Sequence, residues 1–353
     1  MISVYNSFDE LPREIKEKAR YPNQSNFFLS LDWFSLLYRT VFAEEYELRI
    51  YLAHDKTETP IGMLYCITKN KKTLISLTNY YSMEYSPVLL TSNIKANEVV
   101  HAIISYIANE RPRWRSIKFR LLLNDSLGYE SLTKNLRLSG FYVHTYFQYE
   151  NMYYAPATKS FEEYYQERPS KLKNTIKRKE KILYKSYKVN IIHYTKPDED
   201  LPKAISDYTH IYNNSWKKPE PYLNFIPSLV NKTAELGILR MGILYIDDKP
   251  IAAQLWITTS SKALIYKLSY TEEFKKLSAG SILSSNLFKL CMNKDNVDEI
   301  DYGVGSENYK KDWMNNVREL WGIEAYNKQT LRGLSNIFFM SLRKLQKKYL
   351  KSN

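Results

Sequence analysis

Long apolar runs are missing from this 353-residue chain. A membrane-crossing helix needs a stretch of roughly 18 apolar residues, and none is present, so no transmembrane segment is expected. The N-terminus, Met1-Ile-Ser-Val-Tyr-Asn-Ser-Phe-Asp-Glu10, lacks a basic region followed by an apolar block and does not read as a signal peptide. Cysteine is nearly absent. Cys66 and Cys291 lie far apart, each inside an apolar segment, which argues against a disulfide framework. With five scattered histidines they give no zinc-ligand spacing. The expectation is a cytoplasmic protein without a metal. Acid is also in short supply: 38 Asp and Glu stand against 51 Lys and Arg, a net charge of +13. That balance favours anionic partners, whether nucleotide phosphates, nucleic acid or an acidic membrane surface. The abundance of Lys, Tyr, Asn and Ile is equally what an A+T-rich genome yields, so the charge by itself selects no partner.

Hydrophobic residues make up 44% of the chain, ample for a packed core, and the length suggests about two domains. An internal repeat supports two. Tyr51-Leu-Ala-His-Asp, a turn and Pro60-Ile-Gly resemble Leu244-Tyr-Ile-Asp-Asp-Lys-Pro250-Ile-Ala. In each half the same order follows: strand, strand, turn, amphipathic helix, strand. In the first half the helix is Asn97 to Asn109, with Val99, Val100, Ile103, Ile104 and Ile107 at helical spacing. The boundary is expected near residue 155, giving an N-terminal domain 1–155 and a C-terminal domain 156–353. A strand at Leu320 to Tyr326 and a basic helix from about Leu334 to Tyr349 close the second. Between the halves, Pro169 or Ser170 starts a helix through residue 187, with Leu172, Ile176, Lys179 and Leu183 on one side. Lys171, Lys173, Lys177, Arg178, Lys181 and Lys185 cover most of the rest. This reads either as a solvated surface helix or as one facing an anion.

The stretch Ile238 to Tyr309 reads as three strands, a sharp turn, a helix beginning near Ser281 and a fourth strand, Glu299-Ile-Asp-Tyr-Gly303. The turn, Lys275-Lys-Leu-Ser-Ala-Gly280, is basic and contains glycine. Such a turn running into a helix presents free N–H groups to an anion. The matching place in the first half is Ser86-Pro-Val-Leu-Leu, where proline lacks an N–H and no glycine allows close approach. The first copy therefore reads as degenerate.

Several of these segments, in this order, resemble the GNAT-superfamily acyltransferases of the CelD/FemAB-like (BioF2-like acetyltransferase) branch. They are Pro169-Ser-Lys-Leu-Lys with Arg178, the hairpin Asp248-Lys-Pro-Ile-Ala-Ala, the strand ending Tyr266-Lys-Leu-Ser-Tyr270, the turn Ser278-Ala-Gly280, and Asp301-Tyr-Gly-Val-Gly-Ser-Glu-Asn-Tyr-Lys310 followed by Trp313. The resemblance covers about residues 160 to 330. It implies an α/β (α+β) chain of tandem GNAT-like domains, each a mixed, mainly antiparallel sheet flanked by helices. It also implies acyl transfer from a thioester or, as in the cell-wall relatives, from aminoacyl-tRNA. Those relatives often carry a long helical hairpin, and no long heptad stretch occurs here, which favours acyl-CoA, acetyl-CoA in the simplest case. Of the usual glycine pair in the phosphate turn only Gly280 remains.

The resemblance assigns roles to particular positions. Leu277, Ser278, Ala279, Gly280 and Ser281 would offer N–H groups to the CoA pyrophosphate, with Lys275 and Lys276 adding charge. The thioester would enter a gap between strand Lys262–Tyr270 and the strand bearing Asp301, where a backbone N–H near Leu268 to Tyr270 polarises its carbonyl. An amine acceptor arrives protonated, so a carboxylate, Asp301 or Glu307, is a sensible base. Asp301 would serve equally well to fasten the loop by accepting backbone N–H groups. Tyr309 sits where such enzymes often place the tyrosine that protonates the departing thiolate. Arg178, Trp216, Gln254, Lys310 and Trp313 are expected at the substrate, Lys310 and Trp313 alternatively shaping the loop. The acceptor would be a small molecule or an envelope or polysaccharide precursor carrying an amine or hydroxyl. Two other readings stay open: an aminoacyl-tRNA-dependent transferase, and a non-enzymatic protein that binds nucleic acid or an anionic surface through its interleaved Tyr and Lys.

Overall fold

Short runs of β-branched and aromatic residues, broken by turns and by stretches of helical spacing, set the order of elements. The computed structural model describes residues 1–21, 23–92, 94–156 and 160–351. The chain forms two compact units: residues 1–149 with 319–353, and residues 150–318. Among the described residues no helix is long and apolar enough to cross a membrane.

The first unit begins with β1 (Ile2–Tyr5), α1 (Arg13–Ala19), α2 (Leu31–Leu37), β2 (Glu47–His54) and β3 (Pro60–Thr68). Ser30 starts α2, its Oγ accepting the Trp33 amide at 3.3 Å, as an N-cap does. The β2–β3 turn is closed by Asp55, whose Oδ1 accepts the amides of Thr57 at 2.8 Å and Thr59 at 2.9 Å. β4 (Thr73–Ser76) and β5 (Val88–Leu89) follow, then α3 (Ala96–Asn109), β6 (Ser116–Leu123), α4 (Leu127–Leu138) and the start of β7 (Phe141–Tyr154). Val99, Val100, Ile103, Ile104 and Ile107 form the buried face of α3, as their spacing predicts. β1 to β4 pair antiparallel in sequence order. β4 then pairs parallel with β6 at Thr73↔Ser116, Leu74↔Ile117 and Ile75↔Lys118, with α3 as the crossover.

The second unit holds the end of β7, α5 (Phe161–Gln166), α6 (Ser170–Ser186), β8 (Val189–Tyr194), α7 (Leu201–Asn213), α8 (Phe225–Glu235), β9 (Leu239–Ile246), β10 (Lys249–Thr258), β11 (Lys262–Tyr270), α9 (Ala279–Asn293) and β12 (Glu299–Val304). Here β8 to β11 pair antiparallel in sequence order, and β11 pairs parallel with β12 at Lys262↔Glu299, Ala263↔Ile300 and Leu264↔Asp301. The two units repeat one strand order, and each sheet is mixed and mainly antiparallel, flanked by helices.

The last strand of each unit comes from the other half of the chain. β12 pairs antiparallel with Asn151, Tyr153 and Tyr154 of β7. β6 pairs antiparallel with Leu320 to Tyr326 of β13 (Asn316–Asn327). The expected division at 155/156 therefore differs from the observed units, because β13 and the C-terminal helix α10 (Leu331–Lys351) group with residues 1–149. Edge pairing of β6, not chain order, decides where β13 goes.

The second unit's core is built on α9. Its Phe288 stacks on Tyr164 at 5.2 Å and on Trp313 at 4.8 Å, and meets the edge of Trp256 at 5.2 Å. Cys66 and Cys291 are buried and unpaired, and burial pushes the Cys66 thiol up to about 12.

Candidate acyl-transfer site

β11 and β12 run together only over the three residue pairs ending at Leu264↔Asp301. Beyond them β11 carries a bulge at Tyr266, where its register against β10 shifts between Trp256↔Ile265 and Leu255↔Lys267. β11 stays on β10 as far as Tyr270, while β12 turns toward β7. The strands thus part into an open wedge, as expected. The ladder also fixes the direction of each amide. Thr271 N–H donates to Ile251 O at 2.9 Å, so by alternation Ser269 and Lys267 face β10. The amides of Leu268 and Tyr270 turn to the side that β12 has left.

The turn beside this opening is a 3-10 segment, Glu272–Leu277, that ends at Ser278 with φ 55°. The left-handed residue reverses the chain, and α9 starts at Ala279 rather than near Ser281. Ser281 and Ile282 already donate to Ser278 O, at 3.0 and 3.2 Å. Ser278's side chain caps nothing, and the amides of Ala279 and Gly280 meet no acceptor among the described residues. Those open amides, at the positive end of a 15-residue helix, can receive an anion. Lys275 lies 3.4 Å from Glu272, and both Lys275 and Lys276 are exposed. A Cβ at position 280 would come within 3.3 Å of the Tyr270 ring, so this turn and the end of β11 form one place. Trp216 packs on the same ring, tilted by 39°, with centroids 4.5 Å apart.

After β12 the chain makes the Gly-x-Gly loop. Gly303 and Gly305 take φ of 68° and 108°, where a side chain would be strained. At Gly305 a Cβ would also lie 2.7 Å from the Glu307 carboxylate. Lys310, 4% exposed, staples the loop from inside: its Nζ donates to Val304 O at 2.7 Å and pairs with Glu307 Oε2 at 2.8 Å. Burial raises the Glu307 carboxyl, but the bond from Lys310 and the nearby charge of Lys217 outweigh it, and the group lies below its ordinary range. Tyr309 is 47% exposed and meets Tyr302 edge-on at 5.6 Å. Partial burial, then the charge of Glu307, raises its phenol to about 12, so it is protonated at neutral pH.

Several expected site residues are occupied elsewhere. Asp301 accepts the amide of Gly303 at 2.7 Å and Asn151 Nδ2 at 2.6 Å, and is ion-paired with Arg318. Arg318 also binds Glu299 at 2.9 Å. Asp301 therefore fastens the loop, the structural alternative its position allowed. Gln254, expected at the acceptor pocket, is fully buried. Its Nε2 donates to Gly280 O and Ser284 Oγ, both at 2.8 Å, and its Oε1 accepts Trp256 Nε1 at 2.8 Å. It ties the first turn of α9 to β10. Trp313 lies in the core against Phe288, and its carbonyl accepts from Tyr164 and Arg168. Arg178 is exposed on α6 and has no ion-pair partner among the described residues.

Other residues escaped the sequence reading. Lys217 sits between the rings of Tyr212 and Trp216, 5.6 Å from each. Burial, and then the charge of Lys267, lower its ammonium to about 8. Lys267 pairs with Glu220 at 2.8 Å. These groups come from a loop and a strand distant in sequence, and no spacing links them. Arg318 and Asn151 were missed for the same reason.

The acetyltransferase (GNAT) domain family matches residues 170–311. No curated protein sequence matches the chain. Among solved structures, FemX is similar with TM-score 0.61 at 10% identity, covering 95% of this chain and 99% of that one. L-PGS from Bacillus licheniformis gives 0.51 at 12% identity, covering 92% and 97%. A tandem GNAT protein from the clavulanic acid biosynthesis pathway gives 0.50 at 8% identity, covering 92% and 98%. At such identities the likeness is one of fold, and it extends over both units. Residues 170–311 thus match the acetyltransferase (GNAT) domain family, and the chain shares the fold of FemX and of the tandem GNAT protein.

Proposed function

We propose that the protein transfers an acyl group from acyl-CoA to an amine at the wedge between β11 and β12. The single observation that supports this most is the parting of those strands beside amides at two levels, Leu268 and Tyr270 on β11 and Ala279 and Gly280 on α9, left open among the described residues. The α9 amides, with Lys275 and Lys276, receive the pyrophosphate. The β11 amides take the thioester oxygen as it becomes an oxyanion. The acceptor nitrogen attacks the carbonyl carbon, and its proton passes to Glu307, directly or through water. The C–S bond breaks, and the Tyr309 hydroxyl gives its proton to the thiolate. Trp216 borders the opening through Tyr270, and Lys310 shapes the loop from inside. Arg178 and the other exposed cations of α6 receive an anionic acceptor. Gln254 and Trp313 position α9 and act through it, and Asp301 positions the loop.

The test is thermal melting with CoA. Millimolar CoA raises the melting temperature of the wild type, and Gly280→Asp abolishes the rise while the unliganded protein still melts cooperatively. The absence of any rise in the wild type would overturn the reading. An aminoacyl-tRNA donor is a second reading, favoured by α6, whose Lys171, Lys177, Arg178, Lys181 and Lys185 are exposed with no acidic partner among the described residues. It requires tRNA binding that falls steeply with salt and is lost when these cations are neutralised.

A further inference from the structure

One lysine of the second unit carries a charge that the fold does not answer. The loop after α7 sets Lys217 between the rings of Tyr212 and Trp216, and Trp216 lies on Tyr270 at the end of β11. Two carboxylates are close enough for their charges to act on it, Glu220 and Glu307. Each is already paired, Glu220 with Lys267 at 2.8 Å and Glu307 with Lys310 at 2.8 Å, and Lys217 closes no ion pair among the described residues. Two hydroxyls around it are also unspent. Tyr208 and Ser269 are buried, and neither side chain finds a hydrogen-bond partner among the described residues. Tyr208 stands one turn before Tyr212 on α7, the two rings stacked at 6.0 Å, and the charge of Glu220 acts on its phenol. Ser269 shares a face of β11 with Lys267, because alternate residues of a strand point the same way. Leu268, on the opposite face, is the register partner of Gln254, whose side chain reaches the first turn of α9. Lys267 and Ser269 therefore stand on the face turned away from α9.

We propose that the acceptor is an amino acid, its carboxylate held by Lys217 and its amine turned to Glu307. The inference rests on acyl-CoA transfer at the wedge and names the acceptor for it. With the CoA phosphates at the start of α9, the donor takes the α9 face, and the face bearing Lys267 and Ser269 is left to the acceptor. The charge to be answered there is a single one, because Glu220 already neutralises Lys267. A carboxylate matches it, and a phosphate dianion does not. Burial and Lys267 both disfavour the Lys217 ammonium, and a bound carboxylate offsets them. The hydroxyls of Tyr208 and Ser269 supply further donors to its oxygens. Lys217 and Glu307 act on each other's charge without pairing. A zwitterion presents the complement of both, carboxylate to Lys217 and ammonium to Glu307. Glu307 takes the proton, the amine takes the acyl group, and the products are the N-acyl amino acid and the CoA thiol. Lys217 binds and transfers nothing. With its amine deprotonated the amino acid is an anion, the charge class that the α6 cations receive.

Steady-state thiol release from acetyl-CoA tests this, with the full chain and two sets of acceptors. One set is the common amino acids with β-alanine and γ-aminobutyrate, and the other is the amine left when each loses its carboxylate. At least one amino acid is acetylated, with kcat/KM about 10- to 100-fold above that of its amine, the worth of a hydrogen bond to a charged group. Lys217→Met collapses that ratio, chiefly through the KM for the amino acid, and Lys217→Arg retains part of it. A rise in melting temperature with CoA, seen in the wild type and kept in Lys217→Met, shows that the variant folds with its donor site intact. No CoA stabilisation of the wild type overturns the transfer reading and this inference with it. With CoA stabilisation present, any of three results overturns the inference alone: no amino acid is acetylated, the amines react as fast as the amino acids, or Lys217→Met keeps the wild-type ratio.

Discussion

Tyr309 and Lys217 are two side chains whose titration is shifted by their surroundings. With its phenol raised to about 12, Tyr309 keeps its proton through the neutral range. Tyr309→Phe is expected to lower kcat about 100-fold, the lower end for a lost general acid. The KM for acyl-CoA should hold, as steady-state kinetics with a thiol-release assay would show. Lys217 titrates near 8 in the folded chain against an ordinary 10.5. The unfolded chain therefore holds this proton up to a higher pH, and stability rises with pH between about 8 and 10.5. Below about 8 both states are protonated and the cost of burying the charge is constant. Denaturant melts across this window should show the rise in the wild type and its loss in Lys217→Met. An identical pH profile in the variant would remove Lys217 as the cause.

Where elements meet, the site depends on one guanidinium. Arg318 joins Glu299 and Asp301 of β12, with Asn151 of β7 bonded to the same carboxylate. Arg318→Met leaves the largely buried Asp301 carboxylate without its cation, while Glu299 keeps Lys262 at 3.4 Å, and should cost on the order of 3 kcal/mol. Urea denaturation would measure it, and a cost under about 1 kcal/mol would place the pair among weak surface contacts. Sequence spacing had marked the Gly-x-Gly loop and its acids as a unit. It could not separate the acid that holds the loop through Arg318, Asp301, from the one that pairs with Lys310, Glu307, because Arg318 reaches Asp301 only after β13 has been laid down. The α9 start shows the same limit: Ser281 looked like the first helical position, yet the left-handed Ser278 moves the start to Ala279 and leaves two amides open.

For the whole molecule, the exchange of final strands matters most. A chain ended after Arg318 lacks Leu320 to Tyr326, the antiparallel partner of β6. Hydrogen exchange should then show lost protection along Ser116–Leu123 while the amides of β9 and β10 keep theirs. A chain ended after Thr330 loses α10 alone and should retain both. Equal protection of β6 in the two truncations would mean that β13 is dispensable to the first unit. The sequence by itself determined much of this protein. Local periodicity and turn chemistry dictated the strands, the basic helix α6, the duplicated strand order and the turn before α9, because those depend on neighbours a few residues apart. Tertiary structure alone decided which strand closes each unit, how far β11 stays beside β12, and whether Asp301, Gln254 and Trp313 face ligand or protein. Those outcomes turn on pairings between residues tens to hundreds of positions apart, and no local pattern of side chains encodes which distant partner wins.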